Sequence, residues 1–229
     1  MDVTCKRCQK PIPASDINLD SNIAKCANCN AVFDFRDQLS VGQAIARGTV
    51  ESPKGIELQS TMDGLEIVRR WYSPKVLALL VFCIFWDGFM VVWFSIAIAQ
   101  QQWAMALFGT IHGAIGVGIT YLVVCGFVNR TYIRISFNDI SIRHQPLPWP
   151  GKKRVPVGDI KQVFCKSKGH HNKNSTSYTY EVHYLDSADK ENKLLPGLEK
   201  PEQALYIEQE IEKTLGIVDV AVGGELPRG

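Results

Sequence analysis

Residues 76 to 99 read VLALLVFCIFWDGFMVVWFSIAIA, with one acidic residue, Asp87, and no lysine or arginine. Residues 103 to 128 read WAMALFGTIHGAIGVGITYLVVCGFV, with no formal charge and one histidine, His112. A helix of 24 residues is about 36 Å long, which is enough to cross the hydrocarbon core of a bilayer. Buried helices of soluble proteins seldom run this long without a polar face, so membrane spans are favoured over core helices.

The two apolar segments are separated by three glutamines, residues 100 to 102. This link is too short for a domain, so the sequence predicts a transmembrane helical hairpin over residues 75–129. Basic residues flank the open end of the hairpin and are missing from its short turn. They are Arg69, Arg70, Lys75, Arg130 and Arg134. The positive-inside rule therefore places both long terminal parts in the cytoplasm.

Composition excludes some classes of function. The 229 residues carry a net charge of +2, whereas dedicated nucleic-acid-binding domains usually have a strong basic excess. The sequence contains no nucleophile-elbow motif, zinc-protease motif, phosphate-binding loop or dinucleotide fingerprint. We therefore expect a protein that is not an enzyme.

Four of the seven cysteines form two CxxC pairs near the N-terminus, Cys5 with Cys8 and Cys26 with Cys29. Two such pairs at this separation predict one structural Zn²⁺ ion with four sulfur ligands. A disulfide pair and a redox-active dithiol are the alternatives. Cytoplasmic thiols are kept reduced, and the βαβ setting of redox CxxC motifs is missing, so zinc is favoured.

Residues 1–36 resemble a zinc ribbon, on these cysteines and the residues 30–33 that follow them, Asn-Ala-Val-Phe. Over residues 1–40 five basic residues balance five acidic ones. Because phosphate binding needs a positive surface, a cytoplasmic protein partner is favoured over nucleic acid. Residues 37–54 are interpreted as a linker, with a short helix suggested by the spacing of Val41, Ala44 and Ile45.

A β domain is predicted on both sides of the hairpin. Two strands are expected within residues 55–74, joined by an Asp63-Gly64 turn. Five strands and a helix are expected within residues 130–216, with a polar loop at 166–174. The helix begins at Pro201, buries a stripe and stops at Gly216, before a flexible tail over 217–229. Its stripe is Ala204, Ile207, Ile211 and Leu215.

Seven strands followed by one helix are similar to a pleckstrin-homology-like (PH-like) barrel. The whole chain resembles bacterial membrane proteins that combine a zinc ribbon, a two-helix transmembrane hairpin and a PH-like β domain. The resemblance implies a multi-domain protein of the bacterial inner membrane, with the hairpin inserted after the second strand of a seven-stranded barrel. The alternative is an ordinary five-stranded α+β domain with the upstream strands independent of it.

One loop of the β domain combines prolines, an aromatic residue and cations. It contains Trp149, Lys152, Lys153 and Arg154, residues that suit contact with anionic lipid headgroups. The equally good alternative is a solvated loop whose tryptophan packs on the domain.

Asp87 and His112 are polar groups inside the predicted spans, at levels about 4.5 Å apart along the helices. The two could meet across the hairpin. A stripe of small residues borders His112 and predicts the face on which the helices pack, with Asp87 directed into protein. The stripe is Gly109, Gly113, Gly116 and Thr120. A polar clamp within the hairpin or a homo-oligomer is favoured over a proton relay or ion site.

Three functions are therefore compatible with the sequence. The first is a membrane-anchored zinc-binding scaffold that holds a partner at the membrane. The second is a small oligomeric transporter or channel subunit that uses Asp87 and His112. The third is a zinc- or redox-sensing membrane regulator.

Overall fold

A computed structural model describes residues 3–18, 23–34, 48–172 and 175–227. Within these ranges the chain is an α+β protein with three α-helices and three sheets. It forms two compact units, Lys54–Arg154 and the combination of Met1–Pro53 with Val155–Gly229. The possible helix at Val41, Ala44 and Ile45 lies outside the described residues.

The N-terminal segment forms a small sheet of three strands. They are β1 (Ile17–Asn18), β2 (Ile23–Lys25) and β3 (Val32–Asp34), in that order across the sheet. Val3, Ile12 and Ala24 are buried beside Cys5 and Cys26. So few apolar residues make a very small core, which is the situation in which a bound metal or a disulfide supplies stability.

The hairpin in the unit Lys54–Arg154 consists of α1 (Pro74–Ala99) and α2 (Trp103–Val128). Pro74 occupies the first turn of α1, where its missing N–H costs nothing. Only 11% of the most apolar window of α1 is buried, and only 22% of that of α2. A core helix of a soluble protein would be mostly buried. The prediction of two helices long and apolar enough to span a membrane is confirmed, and their apolar side chains face outward.

Glycines bring the two helices close together. A Cβ atom on Gly109 would lie 2.8 Å from Trp93 Nε1, and one on Gly116 would lie 2.7 Å from Asp87 Oδ1. The predicted small-residue face is therefore the packing face. Two indoles also bond across the hairpin: Trp93 Nε1 donates to the carbonyl of Met105 at 3.2 Å, and Trp86 Nε1 to that of His112 at 3.3 Å.

The hairpin interrupts a five-stranded sheet. Its strands are β4 (Ile56–Thr61), β5 (Gly64–Arg70), β6 (Arg130–Ser136), β7 (Asp139–Gln145) and β8 (Lys153–Pro156), which neighbour each other in that order. Strands β5 and β6 pair along their full lengths, from Gly64 opposite Ser136 to Arg70 opposite Arg130. The chain thus leaves the sheet after β5, forms both helices and returns to the neighbouring position. The alternative in which the upstream strands are independent is wrong.

The other unit contains a three-stranded sheet and the C-terminal helix. The strands are β9 (Gln162–Asn172), β10 (Ser175–Leu185) and β11 (Glu191–Leu198), with β10 in the centre. Helix α3 (Pro201–Leu215) buries Ala204, Ile207 and Ile211, as predicted. It ends at Gly216, whose φ of 67° is the left-handed conformation that favours glycine.

The expected seven-stranded closed barrel is wrong. In the described part of the chain these strands form two open sheets, of five and three strands. The extra strand is β8, which is short and has no alternating pattern. The expected polar loop at 166–174 is also wrong within the described residues, because β9 and β10 continue through most of it as a long hairpin. Ser167 and Lys168 are exposed there, so no buried face marks the strand in the sequence.

Residues 217–227, which we expected to belong to a flexible tail, are hydrogen-bonded to β9 of their own unit. The backbone N–H of Leu226 donates to the carbonyl of Cys165 in β9 at 2.7 Å. The N–H of Val50, in the predicted linker, donates to Gln209 Oε1 at 2.8 Å.

Replacement of two glycines on α2 tests the packing of the hairpin. We expect Gly116→Ala to destabilise the protein in detergent by about 1–3 kcal/mol, because the added methyl must displace Trp86 or Asp87. Gly118→Ala is the matched control, since a Cβ atom there would have no neighbour within 4 Å. Thermal unfolding followed by tryptophan fluorescence gives both values, and equal stability of the two variants would contradict this packing.

Candidate metal centre

The four cysteines lie on two turns with the same backbone geometry. In the first turn the N–H of Gln9 donates to the carbonyl of Cys5 at 2.7 Å, and in the second the N–H of Asn30 donates to Cys26 at 2.8 Å. Gln9 and Asn30 both have positive φ angles, 58° and 52°. Asparagine is common in this left-handed conformation, whereas glutamine is not, so only the second turn has a sequence signal for it.

A second hydrogen bond closes each turn. The N–H of Cys5 donates to the carbonyl of Lys10 at 2.9 Å, and the N–H of Cys26 donates to that of Ala31 at the same distance. The two turns are thus equivalent, although their intervening residues differ, Lys-Arg in one and Ala-Asn in the other. Each turn directs two sulfur atoms towards the other.

The four sulfur atoms surround one point. All four lie within 4.8 Å of one another. Two separations between the turns are 3.5 Å, from Cys5 Sγ to Cys29 Sγ, and 3.6 Å, from Cys8 Sγ to Cys26 Sγ. A tetrahedral zinc ion with Zn–S distances of about 2.3 Å requires sulfurs about 3.8 Å apart. The cluster therefore fits one Zn²⁺ ion after small adjustments, and all four cysteines are free thiols.

The surroundings of the sulfurs also suit a closed, structural site. Cys5 and Cys26 are buried, and Cys8 and Cys29 are half-buried. Asn28 Nδ2 lies 3.7 Å from Cys8 Sγ, and its Oδ1 accepts a hydrogen bond from Lys10 Nζ at 2.8 Å. Four protein sulfurs would fill a tetrahedral coordination shell, so no position is left open for a substrate or a reactive water.

The thiols are electrostatically unequal. Burial raises the pKa of Cys5, but hydrogen bonds from backbone N–H groups and from neighbouring thiols outweigh it and lower the pKa to about 6. At Cys29 the N–H of Ala31 lowers the pKa, while burial and the three neighbouring cysteines raise it to about 12. Four thiolates cannot be crowded together without a cation, and a divalent ion supplies that charge.

The structure does not bring together Asp87 and His112, the polar residues of the predicted spans. Asp87 Oδ2 accepts a hydrogen bond from Thr120 Oγ1 at 2.7 Å. His112 packs on Phe108, with ring centroids 5.0 Å apart, and on Trp86. No hydrogen bond or ion pair joins His112 to Asp87, both of which belong to the described residues. Asp87 is directed into the hairpin, as predicted, but its partner is Thr120.

Helix geometry explains this partner. Side chains tilt towards the N-terminus of their own helix, and α1 and α2 run in opposite directions. Asp87 therefore leans towards the level of Cys83, and Thr120 leans towards that of Gly116, so the two side chains converge. His112 has the same tilt as Thr120, but it lies nearer the N-terminus of α2, so the tilt carries its side chain away from Asp87. Its Nδ1 lies 3.4 Å from the carbonyl of Phe108. The prediction compared only the levels of Asp87 and His112 along the helix axes. It ignored the side-chain tilt, so His112 was taken as the partner.

The candidate lipid-binding residues have separate environments. Trp149 is half-buried, and its ring centroid lies 5.0 Å from that of Trp71. Lys152 is exposed, whereas Lys153 is half-buried, and burial lowers its pKa. The Arg154 guanidinium forms an ion pair with Asp139 and holds the pKa of that carboxyl below its usual range. The tryptophan ring thus packs edge-on against Trp71.

Comparison with models of known protein families finds no match, and comparison with curated proteins finds none either.

The metal content of the purified full-length protein tests the centre. We expect one zinc ion per chain, and a tetrahedral thiolate spectrum when cobalt replaces it. Cys8→Ser should lose the ion to a mild chelator that leaves the wild-type ion in place. Cys165→Ala is the matched control, because this buried cysteine lies in β9, outside the cluster. A metal-free wild-type protein, or equal retention by both variants, would contradict the assignment.

Proposed function

We propose that the chain is an integral membrane scaffold of a bacterial inner membrane that uses a zinc ribbon to hold a cytoplasmic protein partner at the bilayer surface. The observation that carries this proposal is the presence, in one chain, of a closed four-sulfur cluster and of two long helices with outward apolar faces. The first suits a rigid recognition module, and the second suits an anchor.

The proposed role of the ribbon follows from its size and charge. Zinc would stabilise a segment that has only a small core, and its loops would then form a firm surface for a partner. The charge balance of residues 1–40 favours a protein surface over nucleic acid as that partner.

The proposed topology follows from the charges beside the hairpin. Basic residues lie only at its open end, which favours the cytoplasmic side for that end and for everything beyond it. A hairpin crosses the bilayer twice, so the ribbon and the β strands would share one side. The helix that follows the last strand is the feature that a PH-like β domain would share.

The intramembrane contact supports a structural role for Asp87. A hydroxyl donor within hydrogen-bond distance lowers the cost of burying this polar group, and Gly116 lets the two helices approach it. Two helices enclose no pathway, so transport would require an oligomer. We therefore favour a polar clamp as the role of Asp87. The transporter and the zinc- or redox-sensing regulator remain the alternative functions of the protein.

Capture of a partner from intact membranes tests the scaffold. A photo-crosslinking residue in place of the exposed Arg7 should yield a discrete crosslinked protein with the full-length chain. Adding Cys8→Ser should abolish that product while the chain stays in the membrane, and Cys165→Ala should preserve it. Unchanged crosslinking after the loss of zinc would contradict a partner-binding ribbon.

Asp87→Asn separates the scaffold from a transporter. The amide oxygen of asparagine can still accept the Thr120 hydrogen bond, so we expect partner capture and thermal stability to change little. A proton- or ion-coupled function would collapse, because asparagine does not ionise. Ion flux in reconstituted vesicles that is present in the wild type and lost in Asp87→Asn would favour the transporter over the scaffold.

A further inference from the structure

The loop between β7 and β8, residues 146–152, is fastened to the end of α2. The backbone of Leu147 forms two hydrogen bonds with the side chain of Asn129: its N–H donates to Oδ1 at 2.8 Å, and its carbonyl accepts from Nδ2 at 3.1 Å. Asn129 is only 2% exposed. This loop, called the β7–β8 loop below, therefore has a fixed position relative to the hairpin.

The same loop runs back alongside α2. The hydroxyl of Tyr121 donates to the carbonyl of Pro148 at 2.6 Å. Tyr121 precedes Asn129 by eight residues, which is about 12 Å along a helix. The loop thus lies beside the last two turns of α2 and not beyond its end.

Helix length places the end of α2 in the interface of a bilayer. The 26 residues of α2 extend about 39 Å, while the hydrocarbon core is about 30 Å thick and the whole bilayer about 40–45 Å. About 9 Å of α2 therefore lies outside the hydrocarbon core, which is roughly one turn when both ends share it. The last turn of α2, and the part of the loop beside it, fall in the region between the hydrocarbon and the headgroups. Four aromatic residues gather at this end, as in the aromatic belts of membrane proteins. They are Trp71, Tyr72, Tyr121 and Trp149.

The tryptophans are held by the sheet. Trp149 packs edge-on against Trp71, and Trp71 Nε1 donates to Thr131 Oγ1 at 2.7 Å. In the sheet Arg70 lies opposite Arg130, which lies opposite Gln145. These residues mark the end of the sheet at which the strands connect to the two helices.

The charge at this end of the sheet is positive. Residues 69–75 contain three basic residues and residues 143–153 contain three, and neither segment contains an acidic residue. One of these six, Arg70, forms an ion pair with Glu57 at 2.6 Å. Lys152, at the end of the loop, is exposed. Cations near a membrane surface are attracted to anionic headgroups.

We propose that the β7–β8 loop is a third membrane-contacting element, which places Pro148 and Trp149 in the interfacial layer and Lys152 among anionic phospholipid headgroups. The proposal rests on the proposed function, since it requires the hairpin to span the bilayer. The loop would contact the anionic lipid that surrounds the hairpin, because the loop continues the apolar surface of α2. The consequence is that the five-stranded sheet is fixed to the membrane surface at two points, the helix ends and the loop.

Depth-dependent quenching tests the proposal with the full-length protein in vesicles. The vesicles contain phosphatidylcholine with phosphatidylglycerol, and carry bromine at a shallow or a deep position of the acyl chain. The emission lost on Trp149→Phe reports the loop, and the emission lost on Trp103→Phe reports the opposite end of the hairpin. We expect shallow bromine to quench the Trp149 emission at least as strongly as the Trp103 emission, and deep bromine to quench it less.

A second pair of variants retains every tryptophan. We expect Lys152→Glu to remove the extra shallow quenching gained when phosphatidylglycerol is added, and the exposed Lys200→Glu, at the start of α3, to preserve it. If Trp103 is quenched and Trp149 is not, the loop proposal is overturned and the membrane hairpin stands. The same holds if Trp149 is quenched only after a partner protein is added. Neither tryptophan quenched would overturn the membrane hairpin itself.

Discussion

The outward apolar faces of α1 and α2 are the constraint on which the rest of the structure depends. Side chains such as Phe85, Leu107 and Val117 are 72–76% exposed, and water would strongly disfavour so large an apolar surface. A bilayer removes this cost, and helices are suited to it because each satisfies its own backbone hydrogen bonds. Strand β5 leads into α1, and α2 leads into β6. The pairing of these two strands therefore also holds the start of α1 and the end of α2 next to each other. Anchor and sheet are thus one unit, Lys54–Arg154.

The hairpin and the N-terminal segment are stabilised by different interactions. The hairpin has ample apolar surface and uses glycines to bring Trp86 and Trp93 against the facing helix. The N-terminal segment has little apolar surface, and its four sulfurs would depend on a metal ion to hold the two turns together. A scaffold of this design would present a rigid module from a small number of residues.

The features that were predictable from the sequence are those with a strong local signal. Two long apolar segments, in which Asp87 is the one formally charged residue, predicted both helices almost to the residue. The CxxC spacing predicted the sulfur cluster, and the stripe of small residues on α2 predicted the packing face. Other features have no such signal. The outer part of the β9–β10 hairpin is exposed at Ser167 and Lys168, so no buried face marks it in the sequence. Strand β8 has only four residues, which is too few for a clear pattern. The Thr120 partner of Asp87 depends on the tilt of two side chains in an antiparallel pair, which residue spacing alone does not express.

The most direct test of the account is extraction of the native full-length chain from cell membranes. We expect the protein to remain in the membrane pellet after washes with high salt and with alkaline carbonate, and to be released only by detergent, because two spans hold it in the hydrocarbon core. Recovery of the intact chain as dissolved protein after the carbonate wash, without detergent, would contradict the account at its base.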